Sequence, residues 1–337
     1  LISEALQLIA GDRLRQLIGT LTKTPIMGVL VGACVTVLIQ SSSATTVMTV
    51  SFVDAGLMTL TQAIGVIMGA NIGTTITGQI LAIKVQDYAY LFIIIGVLLS
   101  FFGRSKVQKY AGNGLLGFGL LFVGMQTMES SMSFLRNEKE LFLMFSHNPL
   151  MGVLAGTLLT LLVQSSAATV GLTIALGVQG LLPLHAAIPI ILGDNIGTTI
   201  TANLAALTAN TQAKRAALAH FVFNVFGVIW VLIVFHPFMD LVNWVVDTFF
   251  QSSNPEVAIS YKLSAFHSIF NICNVCILIW AVKLIERTVC ALIHPKEEDE
   301  EPRLRFITGG MLSTAELSIL QARKEIHLFA ERTHRMF

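Results

Sequence analysis

Residues 25–46 read PIMGVLVGACVTVLIQSSSATT, an apolar run that ends in amide and hydroxyl side chains. The same pattern returns 124 residues later, because residues 149–170 read PLMGVLAGTLLTLLVQSSAATV and match the first copy at 13 of 22 positions. Duplicated hydrophobic segments interrupted by polar groups are typical of transporters that bind substrate between two repeats near the middle of the bilayer. The pair therefore predicts a duplicated membrane fold.

A second motif follows each copy at the same spacing. Residues 71–77 read NIGTTIT, and residues 195–201 carry the same sequence without a change, again 124 positions further on. Two motifs that keep one offset indicate that a whole unit is duplicated. We expect repeat one to cover about 1–124 and repeat two about 125–293.

The composition indicates an integral membrane protein. The 337 residues are 54% hydrophobic and only 12% charged, whereas about a quarter of the residues of a soluble protein carry charge. The net charge of +1 provides no extended basic face for following phosphates along a nucleic acid, which excludes that partner. We predict an all-α protein whose main partner is the lipid bilayer.

Each QSS sequence divides an apolar run that is long for one membrane crossing. Residues 26–53 and 150–178 exceed the roughly 20 residues that a helix needs to span the hydrocarbon core. We predict that each run forms two half-helices that meet at the tip of a re-entrant hairpin. Non-helical backbone at membrane depth requires burial in protein or a wet cavity. The predicted fold therefore has two repeats, expected to be inverted, with re-entrant helical hairpins and broken helices.

The composition changes after residue 293. Residues 1–293 form the predicted transmembrane transport domain, residues 294–302 a charged linker, and residues 303–337 a polar helical tail. Basic residues cluster near residues 104–109 and again from residue 283 onward, and the positive-inside tendency places both regions in the cytoplasm. We predict a multi-pass protein with a cytoplasmic C-terminal tail.

The QSS sequence places hydrogen-bond donors where a helix is expected to stop and restart. A helix that stops at Gln40 and restarts at Ser41 leaves free N–H groups and the positive end of its dipole at the restart, which favours an anion. Serine hydroxyls add further donors. The residues predicted to bind the anion are Gln40, Ser41, Ser42, Ser43, Gln164, Ser165 and Ser166.

Oxygen-bearing side chains of the second motif suit a hard cation such as sodium. No Lys or Arg occurs in either repeated stretch, so a bound dianion depends on dipoles, hydroxyls and co-bound cations. Asp194 stands where the first copy has Ala70, and at membrane depth we favour a sodium ligand over a structural carboxylate. The residues predicted to bind sodium are Asn71, Thr74, Thr75, Asp194, Asn195, Thr198 and Thr199.

Helix packing is the alternative interpretation of these polar side chains. A single Ser or Thr in a membrane helix usually serves close packing, but the recurrence of both motifs at one offset favours a binding site. The sequence His-x-x-Phe-Asn also occurs twice, beginning at His220 and His267. We expect hydrogen bonds between helices there, with a proton relay as the alternative.

These residues resemble the type II sodium-phosphate cotransporters, over about residues 1–293. The resemblance is carried by the two QSS segments, the paired NIGTT motifs and the His-x-x-Phe-Asn segments. It implies import of inorganic phosphate with sodium by alternating access, with phosphate at the serines of both tips and co-transported sodium ions at the neighbouring Gln, Asn and Thr. The second tip has Ala167 where the first has Ser43, so the two tips are not equivalent.

The resemblance also implies a location and a further domain. Members of this kind lie in the bacterial inner membrane, the plasma membrane of the cell. Residues 303–337 resemble the opening helix of a truncated PhoU-like cytoplasmic domain. The sequence leaves open whether the protein forms a homodimer.

Several other functions remain open at this stage. They are a sodium-independent carrier or exporter of phosphate, a carrier of another oxyanion, and a phosphate-sensing membrane protein. An intramembrane serine hydrolase is the weakest, because no Gly-x-Ser-x-Gly elbow surrounds any serine and one nucleophile would not require duplicated serine clusters. We predict that the protein is not an enzyme.

Overall fold

The structure of the protein is a computed structural model that describes most of the hydrophobic part of the chain. Within the described ranges every regular element is a helix. The predicted all-α class is confirmed. The described residues are 22, 24–83, 88–131, 148–250, 254–295, 326 and 330.

The first half of the described chain forms five helices, of which α1 packs against α3 and α4 against α5. Only Gln40 and Ser41 separate α1 from α2. The bounds are α1 Pro25–Ile39, α2 Ser42–Asp54, α3 Leu60–Ala82, α4 Ala89–Phe102 and α5 Lys106–Ser131.

The second half of the described chain forms eight α-helices and a 3₁₀ turn, Ile279–Ala281, that joins the last two. Their bounds are α6 Pro149–Val163, α7 Ser166–Val178, α8 Leu184–Gly197, α9 Thr199–Ala205, α10 Thr211–Ile233, α11 Phe235–Phe249, α12 Pro255–Leu278 and α13 Val282–Leu292.

The helix bounds repeat with the offset of the sequence motifs. α1 and α6 begin 124 residues apart, and so do α2 and α7. The counterpart of α3 is α8 followed by α9, which are separated only by Thr198, a residue with helical backbone angles. That the two units are inverted and their hairpins re-entrant stays a prediction.

Local sequence explains where α1 and α6 begin. Thr24 and Asn148 lie at the N-caps, where their side chains accept hydrogen bonds from Met27 N and Leu150 N. A proline follows each cap at the first helical position, where its missing N–H costs nothing. Both helices therefore start at a capped, proline-fixed position.

Glycines allow α1 and α3 to touch backbone to backbone. A Cβ added to Gly32 would collide with the carbonyl oxygen of Val66, and one added to Gly69 would collide with that of Val29. Small residues allow this close approach between membrane helices. The same contacts recur between α6 and α8, at Gly156 with Ile190 and at Gly193 with Val153.

Helices α10 and α12 connect the two parts of the core. One cluster of buried apolar side chains includes Ile64 of α3 and Phe223 of α10, and a second includes Ile188 of α8 and Phe266 of α12. Both α10 and α12 contribute side chains to both clusters. α3 packs against α10 and α12, while α2 contacts α10 and α7 contacts α12.

Three helical segments among the described residues are long and apolar enough to cross a membrane. They are Leu60–Ala82, Thr211–Ile233 and Val257–Leu292. The half-helices Pro25–Ile39 and Pro149–Val163 are shorter and also apolar, and each exposes large aliphatic side chains. These surfaces are those of a protein that sits in lipid.

The chain divides into two compact units, Leu1–Cys290 and Ala291–Phe337. The second unit lies almost entirely outside the described residues. The predicted linker, the helical tail and the PhoU-like resemblance fall there and stay predictions, as do the predicted domain boundaries.

Candidate functional site

The polypeptide breaks its helices at the two glutamines of the QSS sequences. Gln40 has φ 57° and Gln164 has φ 56°, and they are the two non-glycine residues with positive φ among the described part of the chain. The left-handed conformation is uncommon for residues other than glycine and costs about 1–3 kcal/mol. Backbone strain that recurs at the same point of both repeats points to a functional site.

Each break is followed by a serine that caps the next helix. Ser41 Oγ accepts a hydrogen bond from Ala44 N at 3.2 Å, and Ser165 Oγ accepts one from Ala168 N at 3.3 Å. A capping hydroxyl that accepts keeps its own O–H to donate. The N–H groups of the first turn have no acceptor within the helix. Each helix start therefore offers several donors together with the positive end of a helix dipole.

The next serine joins the QSS sequence to the NIGTT motif. Ser42 Oγ lies 3.3 Å from Thr74 Oγ1, and Ser166 Oγ lies 2.8 Å from Thr198 Oγ1. In both repeats the structure thus brings a predicted anion-binding serine into contact with a predicted sodium-binding threonine. A bound anion and a bound cation at these positions would be neighbours.

A layer of threonines, which the sequence interpretation missed, lies behind the serines. Thr36 Oγ1 bonds Thr45 Oγ1 at 3.0 Å, and in repeat two Thr160 Oγ1 lies 2.8 Å from Thr169 Oγ1. All four side chains are buried. The two pairs occupy equivalent positions of the aligned copies. The presence of threonine at both positions of both copies was the sequence signal that could have revealed this layer.

Repeat two adds a carboxylate to this layer. Asp194 is fully buried, and its Oδ1 lies 2.8 Å from Thr160 Oγ1. Ser166 also lies close enough to the carboxyl group to interact with it, but Oδ2 has no hydrogen-bond partner among the described residues. A buried charge needs a counter-charge, and the unpaired oxygen offers a ligand for one.

The two asparagines of the NIGTT motifs differ in their contacts. Asn71 Nδ2 donates to Asn224 Oδ1 at 2.6 Å, and Asn71 Oδ1 lies 3.2 Å from His220 Nε2. Asn195 Nδ2 instead donates to the Ile191 carbonyl of its own helix at 2.9 Å. The expected bonds between helices at the His-x-x-Phe-Asn segments therefore form at the first segment.

The remaining threonines predicted to bind sodium donate to the backbone carbonyl three residues earlier in the chain. Thr75 Oγ1 donates to the Ile72 carbonyl and Thr199 Oγ1 donates to the Ile196 carbonyl, both at 2.8 Å. A hydroxyl that donates in this way keeps its lone pairs for a cation. The two positions are equivalent in the two repeats.

The tip of repeat one and the start of α7 meet the same turn of α3. Thr77 Oγ1 donates to Gln40 Oε1 at 3.0 Å, and a Cβ added at the next residue, Gly78, would lie 3.7 Å from Val170 of α7. Gln40 and Ser43 are half-buried, whereas Gln164, the counterpart of Gln40, is exposed. The first tip is thus held against α3 more closely than the second.

Sequence comparisons show which proteins the chain is similar to. The sequence profile described as Na+/Pi-cotransporter matches residues 1–130 and 132–246. The "Uncharacterized protein YqeW" of Bacillus subtilis is 30% identical over 291 residues, which are 86% of this chain and 91% of that protein. No solved structure matches the chain.

Two further relatives carry functional names. The "Putative inorganic phosphate export protein YjbB" of Salmonella typhimurium is 26% identical over 94% of this chain, which spans 58% of that protein's length. The human "Sodium-dependent phosphate transport protein 2B" is 44% identical over 85 residues, 25% of this chain and 12% of that protein. Since the family profile covers most of the chain, the protein belongs to the Na+/Pi-cotransporter family.

Proposed function

We propose that the protein imports inorganic phosphate together with sodium by alternating access. The observation that carries this proposal is the pair of serine-capped helix starts, each joined by a hydroxyl contact to a NIGTT threonine. Membership of a transporter family supports the same function. We also propose that the chain is not an enzyme.

The donors at the helix starts fit an oxyanion. Ser41 and Ser165 cap α2 and α7 and keep O–H groups to donate, and dipoles of both helices favour negative charge. In this proposal phosphate is held by Gln40, Ser41, Ser42, Ser43, Gln164, Ser165 and Ser166.

The oxygens next to the helix starts fit sodium. Asp194 has one unpartnered carboxylate oxygen, and Thr198 contacts the tip serine Ser166. In this proposal co-transported sodium compensates the charge of phosphate, because the repeated stretches contain no Lys or Arg. The proposed ligands are Asn71, Thr74, Thr75, Asp194, Asn195, Thr198 and Thr199.

Phosphate export is the second candidate function. It is favoured by one observation, the name of the YjbB relatives, which align with 94% of this chain. Export and import use the same binding groups and differ in the gradient that drives them.

Flux in proteoliposomes tests both candidates. We expect labelled phosphate to enter vesicles when sodium is high outside, and not when potassium replaces it. The replacement Ser51→Ala is a matched control, because Ser51 lies exposed on α2 and donates to Val47 O of its own helix. Flux that is independent of sodium would contradict the coupling, and efflux from loaded vesicles without a sodium gradient would favour export.

We further propose that the protein crosses the bacterial inner membrane several times and that its C-terminal tail is cytoplasmic. The basic residues from residue 283 onward support this orientation. A homodimer stays a prediction.

A further inference from the structure

Two histidines with the same local sequence have different surroundings. His220 on α10 has Nε2 at 3.2 Å from Asn71 Oδ1, and its Nδ1 has no hydrogen-bond partner among the described residues. His267 on α12 is 1% exposed, and within the same part of the chain neither of its ring nitrogens has a hydrogen-bond partner. Leaving buried polar atoms unpaired is costly, and His267 leaves two such atoms where His220 leaves one, which favours His267 as the site of an additional ligand.

The neighbour of His267 on α12 has an unused acceptor. Asn271 is fully buried, and its Nδ2 donates to the His267 carbonyl at 2.9 Å, while its Oδ1 has no hydrogen-bond partner within the described part of the chain. Residues four apart on a helix lie side by side. An imidazole that can take up a proton therefore lies near an amide oxygen that can receive an N–H through a water molecule or after a change of rotamer.

α3 links this pair to the proposed phosphate site. A Cβ added at Gly78 would lie 3.5 Å from His267 Nδ1, and the preceding residue, Thr77, donates to Gln40 Oε1 at the tip of repeat one. The following residue, Gln79, donates to Ser268 Oγ at 2.8 Å. Three successive residues of α3 thus connect the first tip with the His267 side of α12.

The helices packed against α12 differ in the ionisable residues that they contribute around His267. α3 and α7, which pack against α12, contain none. The other helices packed against α12 are α8, α10 and α11. Their ionisable residues are His185, Asp194, Lys214, Arg215, His220, His236, Asp240 and Asp247.

We propose that His267, with Asn271, is a proton-binding site that fills when phosphate occupies the helix starts. The inference rests on the proposed function. A buried imidazolium without an anion nearby is costly, and the helix starts lack basic side chains. The proton comes from bulk water and adds to the free lone pair of the neutral ring; no other bond of the protein changes. The resulting charge compensates one charge of the phosphate.

Calorimetry of phosphate binding to the purified full chain tests this inference. Titrations at pH 7 in buffers of different ionisation enthalpy give the number of protons taken up per bound phosphate. We expect the wild-type protein to take up about one proton more than His267→Gln, because the ionisation of phosphate itself contributes equally to both. His185→Gln, which changes an exposed histidine at the start of α8, is expected to match the wild type.

Nitrogen-15 NMR of histidine-labelled wild-type protein in proteoliposomes gives a second measurement that does not depend on a folded variant. We expect an additional imidazolium signal when phosphate is added. Phosphate binding with equal proton counts, or without that signal, would overturn this inference alone. Absence of phosphate binding to the wild type would overturn the proposed function, and this inference with it.

Discussion

The two repeats share a framework but differ in how they pair their buried polar groups. In repeat one, Asn71 bonds both Asn224 and His220, and Ala70 precedes it. In repeat two, the buried side-chain atoms without a hydrogen-bond partner among the described residues are Asp194 Oδ2, His220 Nδ1, Asn271 Oδ1 and both ring nitrogens of His267. The helix breaks and glycine contacts are the same on both sides, so duplication preserved the scaffold. From this difference we expect the charge-dependent steps of the proposed transport to depend mainly on repeat two.

Replacing Gln40 and Gln164 together by Leu tests the helix break that both repeats contain. We expect complete loss of phosphate transport with normal membrane insertion. Both amides at the helix breaks are removed, and Gln40 also loses its contacts with Thr77 and Val37. The measurements are uptake into proteoliposomes and the amount of protein in the membrane fraction. Gln126→Leu, an exposed position on α5, is the control, and transport retained by the double variant would remove the glutamines from the site.

Replacing the serines tests whether the two tips contribute equally to phosphate binding. Ser42→Ala and Ser166→Ala are each expected to weaken phosphate binding by about 1–3 kcal/mol, roughly 5- to 150-fold, as for a lost hydrogen bond to a charged group. Apparent affinity from phosphate titration of uptake gives the values, with Ser51→Ala as reference. Equal losses of affinity would show that both tips contribute equally to binding the anion. Unchanged affinity in both variants would contradict the proposed site.

Asp194→Asn tests the charge that only repeat two has. The amide can still accept the bond from Thr160 but carries no charge, so we expect the sodium concentration for half-maximal uptake to rise about tenfold, which is about 1.4 kcal/mol. Asp240→Asn, at an exposed position on α11, is the matched control. An unaltered sodium dependence would assign Asp194 to structure.

Asn71→Ala and Asn195→Ala compare the asparagine that bonds another helix with the asparagine that bonds only its own helix, and here we expect effects on stability. Removing Asn71 leaves Asn224 Oδ1 without its donor, at about 1–3 kcal/mol. Removing Asn195 breaks one bond within its own helix and should cost less. Thermal unfolding of the detergent-purified variants measures both, and a larger loss for Asn195→Ala would reverse the comparison.

Local sequence was sufficient to predict the helix breaks and the equivalent helix starts of the two repeats. A polar QSS run inside an apolar segment predicted the helix breaks, because unsatisfied backbone groups need donors or acceptors at that point. The constant offset of 124 predicted that equivalent helices would begin 124 residues apart, as α1 and α6 do. The all-α class followed from the high apolar content.

Contacts between distant segments could not be predicted in the same way. Thr77 bonds Gln40 across 37 positions, and Gln79 bonds Ser268 across 189, and neither pair has a local pattern. His220 and His267 share one local sequence, yet only His220 meets the side chain of a NIGTT asparagine. Partners of this kind are set by which helices pack together, which one sequence does not reveal.

The glycine contacts bear on how such a protein can move. Because α1 touches α3, and α6 touches α8, through backbone atoms without intervening side chains, neither pair can slide or part without losing its close packing. We therefore expect each pair to move as one body. In the proposed alternating access, the change from outward to inward opening would then be accommodated at the side-chain contacts of α10 and α12, where repacking requires changes of rotamer rather than of backbone contact.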